Sequence, residues 1–441
     1  MWHNSIRGFN RKNINAYSTE NKVQKTIMEL KVERKAKSGL REEDIFNNKY
    51  FILNKKLLAL VGLWPYQDAR LKRVVRILLV LCIYSMMIPQ MMKGIEECRE
   101  KNPNPEIILE NISGFFYFQG VTAKFLTAIL TEDKLKYVYE EVMKDWKRFT
   151  DKNEIAILCK FAHVGRVLTV VWSIYAAMSC LLFVTLPAVI PMILNIILTR
   201  NETFKKSLCI YCEYYIDQDK YFFYIFLHHI IAGIATIFLT IGIDTSYVNC
   251  VQHVLALFNV SSYRLKVAFD TIHHSKKNDY NLKTLENNVH SYVVSSIRLH
   301  QRSIKFVDTI QSAYNIVFFI VCALLLFGIS IITVDLVWNV HNPINLIRIA
   351  CLWMGTIMYM FYSNWPGQKL IDSSNELFDA IYTCGWFEFP MKTKILIRFM
   401  LLRSIDPCRL TAGPLLQMNF ESCSLILRSA MSYFTVLVTT G

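Results

Sequence analysis

Seven long apolar stretches recur along this chain of 441 residues, at roughly 73–93, 108–130, 163–187, 221–243, 312–335, 344–362 and 420–438. A bilayer core of about 30 Å is crossed by about 20 apolar residues in helical form. Inside that core each backbone amide must find its partner within the protein, which favours helices. Hydrophobic residues make up 53% of the chain, more than is usual for a soluble domain. The expectation is an all-α membrane protein with seven transmembrane helices. Residues 1–45 are polar and basic, lack the apolar core of a signal peptide, and read as a disordered extension, with Met28 as a second possible start. Residues 46–441 then form one seven-helix domain. Ahead of the first span, "YFILNKKLLALVGLWPY" (50–66) is amphipathic, and Tyr50, Trp64 and Tyr66 near its ends suit a membrane interface.

The net charge of +14 reports orientation here and points to no nucleic-acid partner. With seven spans, 36 Lys and Arg fall on the side of the N-terminus and 6 on the other, the remainder lying inside spans. This split predicts a cytoplasmic N-terminus and an extracellular C-terminus. The sequon at Asn201 then lies outside, where it is a glycosylation candidate. Cys98, Cys209 and Cys212 are also outside, either as free thiols or with one disulfide among them. Helical spacing runs on past the spans on the cytoplasmic side, at 248–269, 283–306 and 367–384. A G-protein-coupled chemoreceptor is the alternative reading, but its orientation is the reverse and no Asp/Glu-Arg-Tyr triplet follows the third span. A transporter is a second alternative, and no inverted repeat supports it.

The last apolar segment is two-faced. At 100° per residue, Ser422, Ser424, Arg428, Ser429, Ser432, Thr435, Thr439 and Thr440 share one arc, while Cys423, Ile426, Leu427, Ala430, Met431 and Phe434 take the other. A lipid-facing helix would not carry a polar stripe along its depth. Either the hydroxyls bond their own backbone and glue the helix to a neighbour, or the stripe lines a water-filled path. In the second case Val436, which interrupts the stripe near the outer end, is a candidate dewetting gate. A single helix cannot enclose a pore, so that reading requires an oligomer.

Aromatic residues gather in the outer halves of spans two, three, four and six: Tyr117 and Phe118; Tyr175 and Phe183 with Ser179; Phe222 with His228; and Arg348, Cys351 and Leu352. Aromatic walls with a few polar groups suit a small-molecule pocket, although ordinary helix packing uses the same residue types. Arg348 is a charge inside a span, hence a functional candidate, with snorkelling from just past Pro343 as the equal alternative. Arg73, Arg76, Lys124, Arg166 and Arg428 read as snorkelling cations. The adjacent histidine pairs do not share a helix face, so no metal site is assigned. No hydrolase, zinc or phosphate-loop motif is present, which gives enzyme chemistry no foothold and calls for no cofactor.

The C-terminal third carries specific motifs. "YSNWPGQKLIDSSNELFDAIYTCGWFEFP" (362–390), "RSIDPCRLTAG" (403–413) and "SYFTVL" (432–437) resemble the insect olfactory receptor family, most closely the receptors of ants, bees and wasps. "LNKKLLALVGLWPY" (53–66) is similar to that family's amino-terminal re-entrant helix. The resemblance covers about 46–441 and implies the tuning subunit of an odorant-gated, non-selective cation channel in the plasma membrane of olfactory neurons. It implies a heterotetramer with a shared co-receptor, membrane lipids around it, and a volatile ligand. It also implies cytoplasmic anchor regions at 244–306 and 363–412, with Tyr382, Trp386 and Leu410 as subunit-interface candidates. The family's last helix lines the pore, which implies a pore helix at 420–441 with Ser432, Tyr433, Val436, Thr439 and Thr440 along the exit. Its odorant pocket lies among spans two, three, four and six, where the aromatic residues above are found.

Overall fold

The computed structural model describes residues 45–197, 206–275, 282–341 and 343–440. They form α1 (Ile52–Leu60), α2 (Ala69–Arg99), α3 (Pro105–Leu130), α4 (Glu132–Arg148), α5 (Lys152–Ile197), α6 (Phe222–Ser275), α7 (Leu282–Trp338), α8 (Pro343–Thr383), α9 (Met391–Ser404), a hairpin of β1 (Thr411–Ala412) and β2 (Leu416–Gln417), and α10 (Phe420–Thr440). Each of the seven apolar stretches falls within one helix: α2, α3, α5, α6, α7, α8 and α10. Among the described residues α2, α5, α6, α7 and α8 are long and apolar enough to cross a membrane. α3 is interrupted by Glu106, Glu110 and Lys124, and α10 by its hydroxyls and Arg428. Asn201 and residues 1–44 lie outside the described residues, so the sequon and the extension carry no structural statement.

Local chemistry sets the helix starts. The Asp68 carboxylate accepts from the amides of Arg70 and Leu71, and the Asn104 side chain accepts from Glu106 N ahead of Pro105 at the first helical position. α6 and α7 continue unbroken past their expected spans, absorbing the helical stretches at 248–269 and 283–306. The stretch at 367–384 likewise continues α8.

α6 is the central shaft. Every residue from Ile241 to Phe258 is buried, as expected of a helix packed on all sides. Asn54 of α1 donates to Thr245 Oγ1 at 2.8 Å. Asn249 donates to Thr169 Oγ1 of α5 at 3.1 Å, and His253 meets Asp145 of α4 at 3.0 Å. Tyr139 of α4 bonds Ser246.

Two interface expectations change. Tyr50 and Trp64 are buried, packed with Phe46, Phe51, Tyr139 and Trp146. α4 presents an apolar stripe of Val138, Tyr139, Val142, Met143 and Trp146, and burying these rings against it removes more apolar area from water than an interfacial position. Lys124 does not snorkel. It is 6% exposed and its ammonium donates to both Asp244 oxygens, at 2.8 and 2.9 Å. A partner inside the bundle removes the reason to reach for water.

The hairpin pairs Thr411 with Gln417 and Ala412 with Leu416 and closes onto α7 through the Gln311 side chain, which accepts from Thr411 N at 2.8 Å. Gly413 turns the chain at φ +63, and a Cβ there would also strike the Phe319 ring.

α4 is tied to α7 by charge. Arg302 donates to Glu141 at 2.6 Å and to Asp145 at 2.5 Å. Burial pushes the Glu141 carboxyl up, but hydrogen bonds from Lys144 and Arg302 outweigh it and hold the group below its ordinary value of 4.5. A depressed carboxylate stabilises the fold above its unfolded value, and that contribution is lost as pH falls through the folded one. Thermal unfolding of the purified protein is therefore expected to drop as pH falls below about 4.5, with a smaller drop in Glu141→Gln. An identical acid profile in the variant would remove this pair from the account.

Candidate functional site: a cavity between five helices

α3, α5, α6, α7 and α8 enclose a cavity of about 280 Å³. Its walls are mainly apolar and aromatic. Phe118 packs edge-on to Tyr117 at 5.5 Å, and Trp172 stacks on Tyr175 at 5.6 Å and on Tyr362 at 4.0 Å. The space exists because large side chains are missing where the helices face one another. Gly120 of α3, Gly233 of α6, Gly328 of α7 and Gly355 of α8 all line it, with Ala176 and Ser179 on α5.

Of the residues expected to bind ligand, Tyr117, Phe118, Tyr175, Ser179, Phe183, Arg348 and Leu352 line this cavity. Phe222, His228 and Cys351 do not. Phe222 stacks on Phe226 at 6.1 Å. His228 turns away, bonded to Ser85 Oγ and to Tyr214 Oη, each at 2.9 Å. Its neighbour His229 lines the cavity instead, because adjacent residues on a helix point about 100° apart. Reasoning on the sequence also missed a whole wall. Val321, Leu324, Gly328 and Ile332 of α7 face the cavity, and their plain aliphatic character gave them no mark. The facing glycines were the available signal.

Two ion pairs bound the apolar space. Arg348 is 4% exposed and forks onto Glu110, Nη1 to Oε1 at 2.5 Å and Nη2 to Oε2 at 2.6 Å, and also donates to Cys209 O at 2.7 Å. The snorkelling alternative is set aside, since the guanidinium points into the bundle. Lys124, paired with Asp244, lies 4.2 Å from the centre of the Tyr359 ring. Glu110 and Lys124 are fourteen residues apart on α3, about 21 Å at 1.5 Å per residue. Each of these two cations is matched by a carboxylate; a third carboxyl at the cavity surface, Asp335 of α7, has no cation partner among the described residues and accepts from the Asn339 side chain at 3.0 Å.

Segment 206–221 covers the Glu110 end. Cys209 and Cys212 are both buried there as free thiols. Burial pushes both thiols up, Cys212 to about 12, so they stay protonated and behave as small apolar groups.

The comparisons with known proteins agree on kind. The family model described as 7tm Odorant receptor matches residues 104–431, about three quarters of the chain. The chain belongs to the odorant receptor family. Odorant receptor 10 of Aedes albopictus is 25% identical over 146 residues, covering 33% of this chain and 38% of that receptor. Odorant receptor 10a of Drosophila melanogaster is 23% identical over 217 residues, covering 48% of this chain and 51% of that one. These matched stretches thus span only about a third to a half of the relatives' own lengths. The structure of the insect olfactory receptor OR5 from Machilis hrabei, solved in complex with eugenol, superposes with a TM-score of 0.73 at 12% identity, covering 90% of this chain and all of that one. A second structure of the same Machilis receptor gives 0.70 at 14% identity. The receptor is thus a helical membrane protein of this fold, in a family of receptors and not of enzymes.

In α10 of the receptor, Cys423, Ile426 and Ala430 are buried against the rest of the chain, while Ser432, Tyr433, Thr435, Val436 and Thr439 are exposed on its surface. The hydroxyls bond their own backbone: Ser424 Oγ to Glu421 O at 3.1 Å, Thr435 Oγ1 to Ser432 O at 2.7 Å, and Thr439 Oγ1 to Thr435 O at 2.9 Å. The Thr440 side chain lies outside the described residues. Tyr382 is 63% exposed and Trp386 half-buried beneath Arg398, whereas Leu410, expected at an interface, is 1% exposed and packs inside the chain, so its side chain has no free surface.

Removing one partner of a buried ion pair strands the other, at about 3–5 kcal/mol. Arg348→Ala is therefore expected to reduce surface expression and thermal stability sharply, and Glu110→Gln combined with Arg348→Gln to recover much of the loss. Full stability in Arg348→Ala, measured by thermal shift, would show that Glu110 finds water or another partner.

Proposed function

We propose that the receptor is the odorant-binding subunit of a ligand-gated, non-selective cation channel, assembled with a shared co-receptor in the plasma membrane of olfactory sensory neurons. Its N-terminus is cytoplasmic and its C-terminus extracellular, as the 36-to-6 split of Lys and Arg implies. The ligand is a neutral volatile molecule held in the cavity between α3 and α8. A volume of about 280 Å³ sits near the lower end of small-molecule pockets, roughly 300–1,000 Å³. The paired charges favour an uncharged ligand of the kind that eugenol represents in the Machilis receptor.

One observation carries the mechanism. α7 has the cavity on one face and α10 on another. Leu324, Leu325 and Gly328 line the cavity. Phe327, between them, packs its ring 5.9 Å from Tyr433 of α10, and Ser330 donates to Ala430 O of α10 at 3.2 Å. A ligand that binds one packing of α7 better than another shifts α10 by that difference in affinity and no more. The exposed face of α10, which carries Ser432, Thr435 and Thr439 beside Leu425, Met431 and Val438, lines the ion path together with the corresponding helices of the other subunits, and Val436 forms the apolar constriction. Tyr382 and Trp386 lie at or near the subunit surface and are the remaining interface candidates.

Two variants, co-expressed with a co-receptor and recorded as odorant-evoked current, test this. Val436→Ala is expected to alter basal current or block, because it widens an apolar ring; unchanged current and an unchanged odour response would take Val436 out of the gate. Ser179→Phe fills cavity volume and is expected to raise the half-maximal concentration of the best agonist about tenfold or more at normal surface expression. An unaltered ligand panel would place the odorant elsewhere.

A further inference from the structure

A second cavity, of about 420 Å³, opens between the end of α4, α6 and the first half of α7. None of its eleven lining residues is acidic. Arg148, Arg264, Arg298 and Arg302 line it, with His290 and the Phe149 ring. On α7 the contributors Asn287, Ser291, Ser295, Arg298 and Arg302 recur every three or four residues, so one helical face supplies them.

The four arginines divide into two kinds. Arg264 is fixed from behind by a fork to Glu154, at 2.6 and 3.0 Å, donates to Ser295 O at 3.2 Å, and lies over the Phe149 ring. Arg302 is fixed by Glu141 and Asp145. The three carboxylates that hold these two stand outside the cavity lining. Arg148 and Arg298 are exposed, and no carboxylate pairs with either among the described residues. The helix dipole accounts for Arg148, in the last turn of α4. It does not account for Arg298, deep inside α7. The uncompensated positive charge at the concavity therefore comes from Arg148 and Arg298, while Arg264 and Arg302, already paired, add guanidinium donors held at fixed positions; planar forks gathered in this way from three helices match the binding of phosphate oxygens.

We propose that this cavity binds a small soluble polyanion carrying several phosphate groups. The source is a free organic polyphosphate and not a lipid headgroup, because of distance. Arg302 lies ten residues before the expected span of α7 and Arg264 twenty-one residues beyond that of α6, about 15 and 32 Å along the helices. The interfacial layer of a bilayer is only about 5–8 Å thick. Bound there, the polyanion bridges α4, α6 and α7. Its placement in the cytoplasm rests on the orientation proposed above, whereas the binding chemistry does not.

The test uses the full-length receptor in phosphatidylcholine nanodiscs, titrated calorimetrically with inositol hexakisphosphate, with inorganic phosphate as one comparison arm and nanodiscs containing phosphatidylinositol bisphosphate as the other. Inositol hexakisphosphate is expected to bind at least about tenfold tighter than inorganic phosphate. Arg148→Ala and Arg298→Ala are each expected to weaken it by about tenfold, and added salt to weaken it further. Neither residue touches the odorant cavity or α10, so odorant-evoked current reports on the proposed channel function independently. Equal binding by the doubly substituted receptor overturns the site. Equal affinity for inorganic phosphate means an adventitious ion only. Failure of the soluble probe to bind in phosphatidylcholine nanodiscs, with arginine-dependent thermal stabilisation of the receptor by the phosphoinositide nanodiscs, overturns the soluble source.

Discussion

A helix buried on every side has no water to satisfy its polar groups, and α6 is such a helix from Ile241 to Phe258. Its polar side chains therefore dictate where the neighbours sit. Asp244 calls for a cation, and Lys124 brings α3 into contact. Thr245 receives Asn54 and holds α1. Asn249 reaches Thr169 and holds α5, and His253 meets Asp145 and holds α4. These contacts place four separate elements around one shaft. Dispersion fills the space between them, but an apolar stripe tolerates sliding that a buried hydrogen bond does not.

Much of this architecture was legible in the sequence because bilayer crossing imposes a length that hydropathy reveals directly. Continuation of α6, α7 and α8 past their spans was legible too, since apolar spacing persists there. α4 was not singled out, although its stripe through Val138, Val142 and Trp146 has helical period. It carries ten charged residues among seventeen, and mean hydropathy hides an amphipathic helix of that kind. The aromatic residues around Trp64 were misread because Tyr and Trp suit both an interface and a core, and residue type alone does not separate the two. Lys124 was misread because its partner lies 120 residues away, a separation at which local pattern carries no information.

The cavity shows the same division. Its aromatic wall was readable, while the α7 wall was not, because Val321 and Ile332 look like any membrane-facing aliphatics. What hollows the site is absence. Four helices each contribute a glycine at the cavity surface, and an absent side chain has no hydropathy. The phase of α6 decided between His228 and His229, and only the packed structure fixes that phase.

The paired charges at the cavity bear on selectivity more than on stability. A buried ion pair roughly offsets its own desolvation, and an apolar replacement of equal shape is often as stable. What Arg348 with Glu110 and Lys124 with Asp244 do supply is geometry: each joins two helices at a defined register across the bundle. They also seat each cation on a carboxylate at 2.5–2.9 Å, so a charged ligand drawn to either pair would have to displace a partner already in place. A neutral ligand meets no such competition. On the proposed function, selection among neutral ligands would then fall to the shape left by the glycines and to the aromatic faces of Phe118, Trp172 and Tyr175. Since Gly328 sits on α7 one residue past Phe327, which packs against α10, a change in the fit of the proposed ligand and a change in the seating of α10 would be felt by the same turn of helix.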